Sequence, residues 1–94
     1  MAPSIAIIIP TLNEERALPR TLLYLRQQQF QEIIIVDGGS KDQTLAVASN
    51  HLDGLSQREA KIIVADQGRA QQMNAGAAAT KSDILLFLHA DTQL

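Results

Sequence analysis

Four short and mainly apolar runs divide the chain and predict four β-strands, over residues 5–9, 33–36, 61–65 and 84–88. None of them alternates apolar with polar residues, which is typical of the buried strands of a parallel sheet. The fourth strand is nevertheless expected to have little cover from residues 1–94 alone. The segments between them have helical periodicity. The order β-α-β-α-β-α-β therefore predicts an α/β fold, an open parallel sheet of four strands with right-handed crossover helices.

Each intervening segment places apolar or small residues on one helical face. The predicted faces are Leu18, Leu22 and Leu25, then Leu45, Ala48 and Leu52, and finally Ala70, Met73 and Ala77. Pro19 suits the first turn of the first helix, because the missing N–H is not needed there. The third helix is expected to start near Arg69, and its alanines would let it approach the sheet closely.

The second strand runs directly into Asp37, Gly38, Gly39 and Ser40. Glycines permit a sharp turn, and Ser40 followed by Gln43 fits a capping box that would start the second helix at Ser40. Asp37 is thus predicted at the carboxyl end of a buried strand, the edge at which open α/β sheets bind ligands.

Three further polar stretches follow strands in the same way, at residues 11–14, 68–69 and 89–91. Pro10 is expected to end the first strand, because proline cannot donate to a sheet ladder. An acid after a strand is often only a helix cap, so each stretch alone is a weak signal. Their convergence on one edge of a parallel sheet is what predicts a binding site.

Composition narrows the classes of function. The chain has 94 residues, a net charge of −2, no cysteine and 3% aromatic residues. These values give no reason to propose a nucleic acid partner, a disulfide framework or a thiolate metal site. The apolar runs are far shorter than a membrane span, and no signal peptide is apparent. Fingerprints of dinucleotide-binding domains, P-loops, nucleophile elbows and zinc proteases are missing from the sequence.

Three motifs, IIIPTLNEE at 7–15, IIVDGGSKD at 34–42 and LFLHADT at 86–92, resemble those of the family 2 glycosyltransferases of the GT-A fold. The resemblance covers essentially the whole chain in order and spacing, and Gly68, Arg69 and Ala70 with Asn74 resemble a subgroup pattern. It implies a Rossmann-like donor-binding half, at residues 1–94, of a longer domain. The implied reaction is the inverting transfer of a sugar from a nucleotide-sugar donor to an acceptor hydroxyl, with Mn²⁺ or Mg²⁺. The catalytic base is expected beyond Leu94, so the 94-residue chain alone is not expected to transfer sugar.

The resemblance also implies roles for individual residues. Asp37 matches an acid that accepts a hydrogen bond from the nucleotide base, and Arg69, beside Gly68, matches an arginine near the diphosphate. Thr11, Asn13 and Glu14 match a loop that contacts base and ribose. Pro10 is expected to shape that loop.

The segment His89-Ala90-Asp91 stands where the family has a D-x-D motif. Asp91 matches the second acid, which holds the metal that bridges the diphosphate. His89 departs from the pattern. An imidazole there could hydrogen-bond the ribose or ligate a softer ion such as Mn²⁺.

Two other interpretations remain at this point. The chain could be a nucleotide-binding module without chemistry, or a fragment that forms homo-oligomers through an exposed sheet edge. The sequence leaves open whether the donor base is uracil or guanine, and which acceptor is used. The resemblance suggests a cytoplasmic protein, with peripheral association at the inner membrane face as an alternative.

Overall fold

The computed structural model describes residues 3–53 and 59–90 and contains a four-stranded sheet with three helices. The elements, in chain order, are β1 (Ile5–Thr11), α1 (Leu18–Leu25), β2 (Glu32–Asp37), α2 (Thr44–Leu52), β3 (Glu59–Val64), α3 (Arg69–Ala78) and β4 (Ile84–Phe87). Every strand pair is parallel and the strand order is β3-β2-β1-β4. The predicted α/β fold is confirmed.

The two central strands carry the core on both faces of the sheet. On one face Ile7, Ile9, Ile33 and Ile35 pack against the leucines of α1 and against α2. On the other face Ile8, Ile34 and Val36 pack under Ala75 and Ala79, in and just after α3. Because successive strand residues point to opposite faces, an unbroken apolar run is what a doubly covered strand requires.

The expectation of a buried strand is wrong for β3, whereas the exposure of β4 agrees with the little cover that was expected for it. Val64 in β3 is 67% exposed and Leu86 in β4 is 46% exposed. In the described part of the chain each of these strands has a neighbouring strand on one side only, and α3 has its main contacts with β1 and β2.

Pro10 does not end the first strand, which continues to Thr11. The Leu88 N–H donates to the Ile8 carbonyl, so Ile8 and, two residues on, Pro10 turn their backbone groups toward β4. The pairing with β4 stops at Ile8. The missing N–H of Pro10 therefore costs no hydrogen bond of the sheet ladder.

The second helix begins at Thr44 rather than at Ser40, so the predicted capping box does not form. Ser40 instead directs both its hydroxyl and its backbone N–H to Asp37. At the start of the helix it is the Asp42 carboxylate that accepts a hydrogen bond from the Thr44 N–H, at 2.9 Å. The buried face of α2 contains Thr44, Ala48 and Leu52, whereas Leu45, which was predicted on that face, is exposed.

The buried face of α3 also differs from the predicted one. The structure buries Gln72 and Gly76, whereas Ala70 is exposed. A Cβ atom at Gly76 would lie 2.5 Å from the Ile8 Cγ2 atom, so only glycine lets the helix come this close to β1. The close approach of α3 to the sheet was predicted correctly, but it depends on Gly76 rather than on the alanines of the predicted face.

Candidate functional site

The carboxyl ends of the four strands bring most of the predicted site residues to one edge of the sheet. Thr11 and Asp37 are direct partners in the register of β1 with β2. Arg69 opens α3 after β3, and His89 follows β4. The predicted convergence on one edge is therefore seen for the described residues.

Asp37 is fully buried and its carboxylate accepts four hydrogen bonds from the chain itself. One oxygen accepts from the hydroxyls of Thr11 at 2.8 Å and Ser40 at 2.6 Å. The other accepts from the N–H groups of Gly39 at 3.0 Å and Ser40 at 2.7 Å. Burial alone would raise the pKa of Asp37, but these donors outweigh it and hold the pKa below its usual range.

The loops after β1 and β2 are joined by the backbone and the side chain of Asn13. Its backbone N–H donates to the Ser40 hydroxyl and its amide oxygen accepts from the Lys41 N–H, both at 2.8 Å. Asn13 has a φ of 54°, in the left-handed region that asparagine tolerates better than most residues. The two loops therefore behave as one hydrogen-bonded unit.

A second set of bonds extends this unit to the start of α2. The Glu14 N–H donates to the Thr44 hydroxyl at 2.8 Å, and the Glu15 N–H donates to Asp42 at 3.3 Å. The Thr44 hydroxyl in turn donates to Asp42. Partial burial tends to raise the pKa of Asp42, yet the Thr44 and Glu15 donors leave it lowered overall.

Arg69 and His89 contact each other at the same carboxyl edge of the sheet. A guanidinium nitrogen of Arg69 donates to His89 Nε2, and both side chains are exposed. Arginine has no acceptor, so the imidazole is the acceptor of this hydrogen bond. The pair places a permanent positive charge at the first residue of α3, in front of the N–H groups that open the helix.

Gln72 was missed by the sequence interpretation and lies at the centre of the site. Its amide nitrogen donates to the carbonyl oxygens of Thr11 and Val36, both at 2.9 Å. Its amide oxygen accepts from the Gly68 N–H at 3.2 Å. The spacing of Gly68, Gln72 and Gly76, four residues apart, was the available signal, because it puts all three on one helix face.

Several predicted residues are placed differently from their expected roles. Thr11 and Asp37 are buried against each other, and the four donors occupy the lone pairs of the Asp37 carboxylate, so the expected contact of Asp37 with a base has no free acceptor. Pro10 lies within β1.

Asp91, the predicted metal ligand, lies outside the described residues. Within residues 3–53 and 59–90 no group of three or more His, Asp or Glu side chains could hold a metal ion.

A cleft of about 380 Å³ lies at the opposite, amino-terminal edge of the sheet, with Glu32, Lys61, Thr80 and Ser82 among its lining residues. Its polar groups are matched to each other: Lys61 lies 3.0 Å from one Glu32 oxygen, and Thr80 and Ser82 donate to the other. Among the described residues, no buried side-chain nitrogen or oxygen lacks a partner. Arg69 has no carboxylate partner in the described part of the chain, and its positive charge favours the carboxyl edge as the candidate site.

A parallel sheet crossed by helices, with polar loops at its carboxyl edge, defines an α/β domain of the Rossmann-like kind. The family model described as "Glycosyl transferase family 2" matches residues 6–94, and the chain belongs to that family. None of the helices in the described ranges is long and apolar enough to cross a bilayer.

Curated relatives that share more than a third of their aligned residues with this chain are also glycosyltransferases. A PGL/p-HBAD biosynthesis glycosyltransferase of Mycobacterium tuberculosis is 40% identical over 95 residues, which cover 99% of this chain and 37% of that protein. A 4,4'-diaponeurosporenoate glycosyltransferase of Staphylococcus haemolyticus is 36% identical, over 97% of this chain and 25% of that protein. The chain thus spans little more than a third of the mycobacterial relative and a quarter of the staphylococcal one.

Solved structures confirm the GT-A fold. A mannosyltransferase from Pyrobaculum calidifontis, in complex with GDP-Man and Mn²⁺, superposes with a TM-score of 0.88 at 21% identity, over 97% of this chain and 28% of that one. A glucosyl-3-phosphoglycerate synthase of Mycobacterium tuberculosis, in complex with Mg²⁺ and UDP, gives a TM-score of 0.77 at 23% identity, over 95% of this chain and 34% of that one.

Proposed function

We propose that this chain is the donor-binding half of a glycosyltransferase that moves a sugar, with inversion, from a UDP- or GDP-sugar to an acceptor hydroxyl. Family membership supports the reaction class. The observation that carries the proposal is the position of Arg69, an exposed guanidinium at the first residue of α3, in contact with His89 at the carboxyl edge of the sheet.

Arg69 is suited to the diphosphate of the donor. A guanidinium offers paired N–H groups that match phosphate oxygens, and the first turn of α3 adds unpaired backbone N–H groups behind it. The negative charge on the diphosphate grows as the sugar leaves. A cation already fixed at that position would therefore stabilise the transition state more than the ground state.

The loops after β1 and β2 would bind the nucleoside. Thr11 and Asp37 are buried against each other, so their proposed role is to fix the shape of these loops. Contacts with base and ribose then fall to Asn13, which is exposed, and to Glu14, which is half-buried.

A divalent cation is part of the proposal because Mn²⁺ and Mg²⁺ accompany nucleotides in the structural neighbours. Asp91 would hold it together with the donor phosphates, since Mg²⁺ is often bound by one or two carboxylates and substrate phosphates. When bound, the cation would neutralise the leaving diphosphate. His89 is the less suitable ligand, because the Arg69 guanidinium beside its Nε2 atom repels a second cation. A hydrogen bond from His89 to ribose is the better proposal.

Calorimetric titration of UDP and GDP into the chain, with and without Mn²⁺, tests this function. We expect metal-dependent binding of one nucleotide and loss of the metal dependence in Asp91→Ala. Arg69→Gln should weaken binding about tenfold or more, because a charge-assisted hydrogen bond is worth roughly 1.5–3 kcal/mol. The matched control is Arg26→Gln, which changes another exposed arginine, at the C-cap of α1. Failure of the folded chain to bind either nucleotide would refute the proposal, as would an Arg69→Gln variant that binds like the unchanged chain.

Self-association is a second candidate, favoured by the exposed apolar residues of the edge strands. Leu86 and Phe87 in β4 and Val64 in β3 are all exposed. Exposed strands of this kind pair readily with other chains. Sedimentation velocity over a range of concentrations would reveal a homo-oligomer, and Phe87→Lys should shift it toward monomer. The predicted cytoplasmic location stays a prediction.

A further inference from the structure

Gln72 is a buried polar residue on a helix with little apolar surface of its own. Its side chain is 5% exposed, and the other buried residue of α3 is Gly76. Burying an amide costs free energy unless its donors and acceptor are all satisfied. A leucine or alanine would fill such a position at no such cost, so the contacts of the amide require an explanation.

The amide of Gln72 connects three separate segments of the chain. It donates to the Thr11 carbonyl at the end of β1 and to the Val36 carbonyl near the end of β2, each at 2.9 Å. It accepts from the N–H of Gly68, which precedes α3, at 3.2 Å. Both of its N–H groups and its oxygen are therefore used, and each partner belongs to a different segment of the chain.

Gly38 lacks a side chain at the point where the Gln72 amide packs against it. A Cβ atom at Gly38 would lie 2.8 Å from Gln72 Oε1 and 2.9 Å from its Cδ atom. Gly38 does not have a positive φ, so what excludes a side chain here is the space that the Gln72 amide occupies. Gly39 is the opposite case. It has a φ of 100° and nothing within 4 Å of an added Cβ atom.

We propose that Gln72 is a positioning residue for the donor site. Its amide fixes the distance between the loop that contains Asp37 and the first turn of α3, which carries Arg69 one helical turn before Gln72. This inference rests on the proposed function, because its purpose is to hold Arg69 where a diphosphate would bind. Gln72 itself is buried and acts through Arg69.

The pairing of Gln72 with Gly38 can be tested without any ligand. Gly38→Ala should lower the urea midpoint in the unchanged chain, because the new methyl group collides with the amide. In a Gln72→Ala background the space is free, so most of that loss should disappear. Gly39→Ala is the control, since its cost comes from backbone strain and should be equal in both backgrounds. An equal loss for Gly38→Ala in both backgrounds would overturn the proposed contact.

The positioning role is tested by the coupling between Gln72 and Arg69. Gln72→Met keeps the length of the side chain and removes its hydrogen bonds, and Gln71→Met makes the same change at the exposed neighbour. We expect Gln72→Met, but not Gln71→Met, to weaken UDP or GDP binding in the presence of Mn²⁺. Adding Arg69→Gln to Gln72→Met should then cost much less than the same change in the unchanged chain, because Arg69 is already displaced.

The outcomes separate the two proposals. If Arg69→Gln costs the same affinity with and without Gln72→Met, the positioning role is wrong, even if Gln72→Met destabilises the fold. If the unchanged chain binds neither nucleotide, the proposed function fails and the positioning role fails with it. The unfolding experiment with Gly38 still decides whether the Gln72 amide occupies the space beside Gly38.

Discussion

Replacement of Asp37 by asparagine tests whether this carboxylate organises the loop after β2 or contacts a nucleotide base. The resemblance to glycosyltransferases implied a base contact. The geometry instead gives the carboxylate four donors from Thr11, Gly39 and Ser40. Asparagine has nearly the same shape, so the substitution changes charge and hydrogen bonding while leaving packing almost untouched.

The expected loss of stability follows from the hydrogen bonds. The hydroxyls of Thr11 and Ser40 can rotate and accept from the new amide nitrogen, so its oxygen can still face the two backbone N–H groups. Those two bonds lose the assistance of the negative charge. A hydrogen bond to a charged group is worth about 1.5–3 kcal/mol and a neutral one about 0.5–1.5 kcal/mol. Two bonds weakened by about 1 kcal/mol each give a loss of about 2 kcal/mol, a large part of the stability of a small domain.

The dependence on pH provides an independent check. The folded pKa of Asp37 lies below its unfolded value, so its contribution to stability is present above the unfolded pKa, about 3.9, and is lost as the pH falls through the folded pKa. The difference between the two proteins should therefore be largest at neutral pH and shrink below about pH 4. Glu32 and Asp42 also have lowered pKa values, but they are the same in both proteins and cancel in the difference.

Urea unfolding followed by circular dichroism at a series of pH values measures this difference. Asp66→Asn is the control, because Asp66 is exposed in the loop between β3 and α3. An Asp37→Asn variant with unchanged unfolding free energy at pH 7, but without nucleotide binding, would refute the reasoning. It would show that the carboxylate is a ligand contact, as the resemblance implied.

Two further substitutions test the packing of α3 and its anchor at the other edge of the sheet. Gly76→Ala should destabilise the fold by about 1 kcal/mol in urea unfolding. Overpacking against Ile8 costs about 1–3 kcal/mol, and the higher helix propensity of alanine offsets only about 1 kcal/mol of that cost. A stabilised variant would contradict the close approach of α3 to β1. Glu32→Gln should cost about 1 kcal/mol at pH 7, since its partner Lys61 is 42% exposed and the ion pair is screened. That cost should fall in acid, where the lowered pKa of Glu32 ceases to contribute, and a cost independent of pH would exclude a charged Glu32 as the anchor.

The sequence was sufficient for the sheet because its main signal is local. An apolar run without alternation, such as the one that ends at Val36, is typical of a strand in a parallel sheet. Once the strands are parallel, topology alone brings the residues that follow them to one edge. That reasoning correctly placed Asp37, Arg69 and His89 together before any contact was known.

The roles of individual polar residues could not be predicted in the same way, because they depend on partners distant in sequence. Ser40 has the local pattern of a helix cap, yet Asp37 and Asn13 compete successfully for its hydroxyl and N–H groups. Pro10 has the local signature of a strand end. Only the short extent of β4 shows why it is tolerated inside β1.

The third helix shows why polar anchors matter at this site. Small residues hold it close to the sheet, but Gly76 contributes no side chain that would prevent sliding along Ile8 and Val36. Its position along the sheet is instead set by hydrogen bonds at both ends. Gln72 is bound to the carboxyl ends of β1 and β2, and Lys61 donates to the Ala79 carbonyl at 2.8 Å. Hydrogen bonds are directional and lose strength within a few tenths of an ångström, whereas apolar contacts tolerate a shift. In the proposed donor site α3 presents Arg69 to a diphosphate at a fixed distance from the loop around Asp37, and such anchors suit that proposed role better than a larger apolar face.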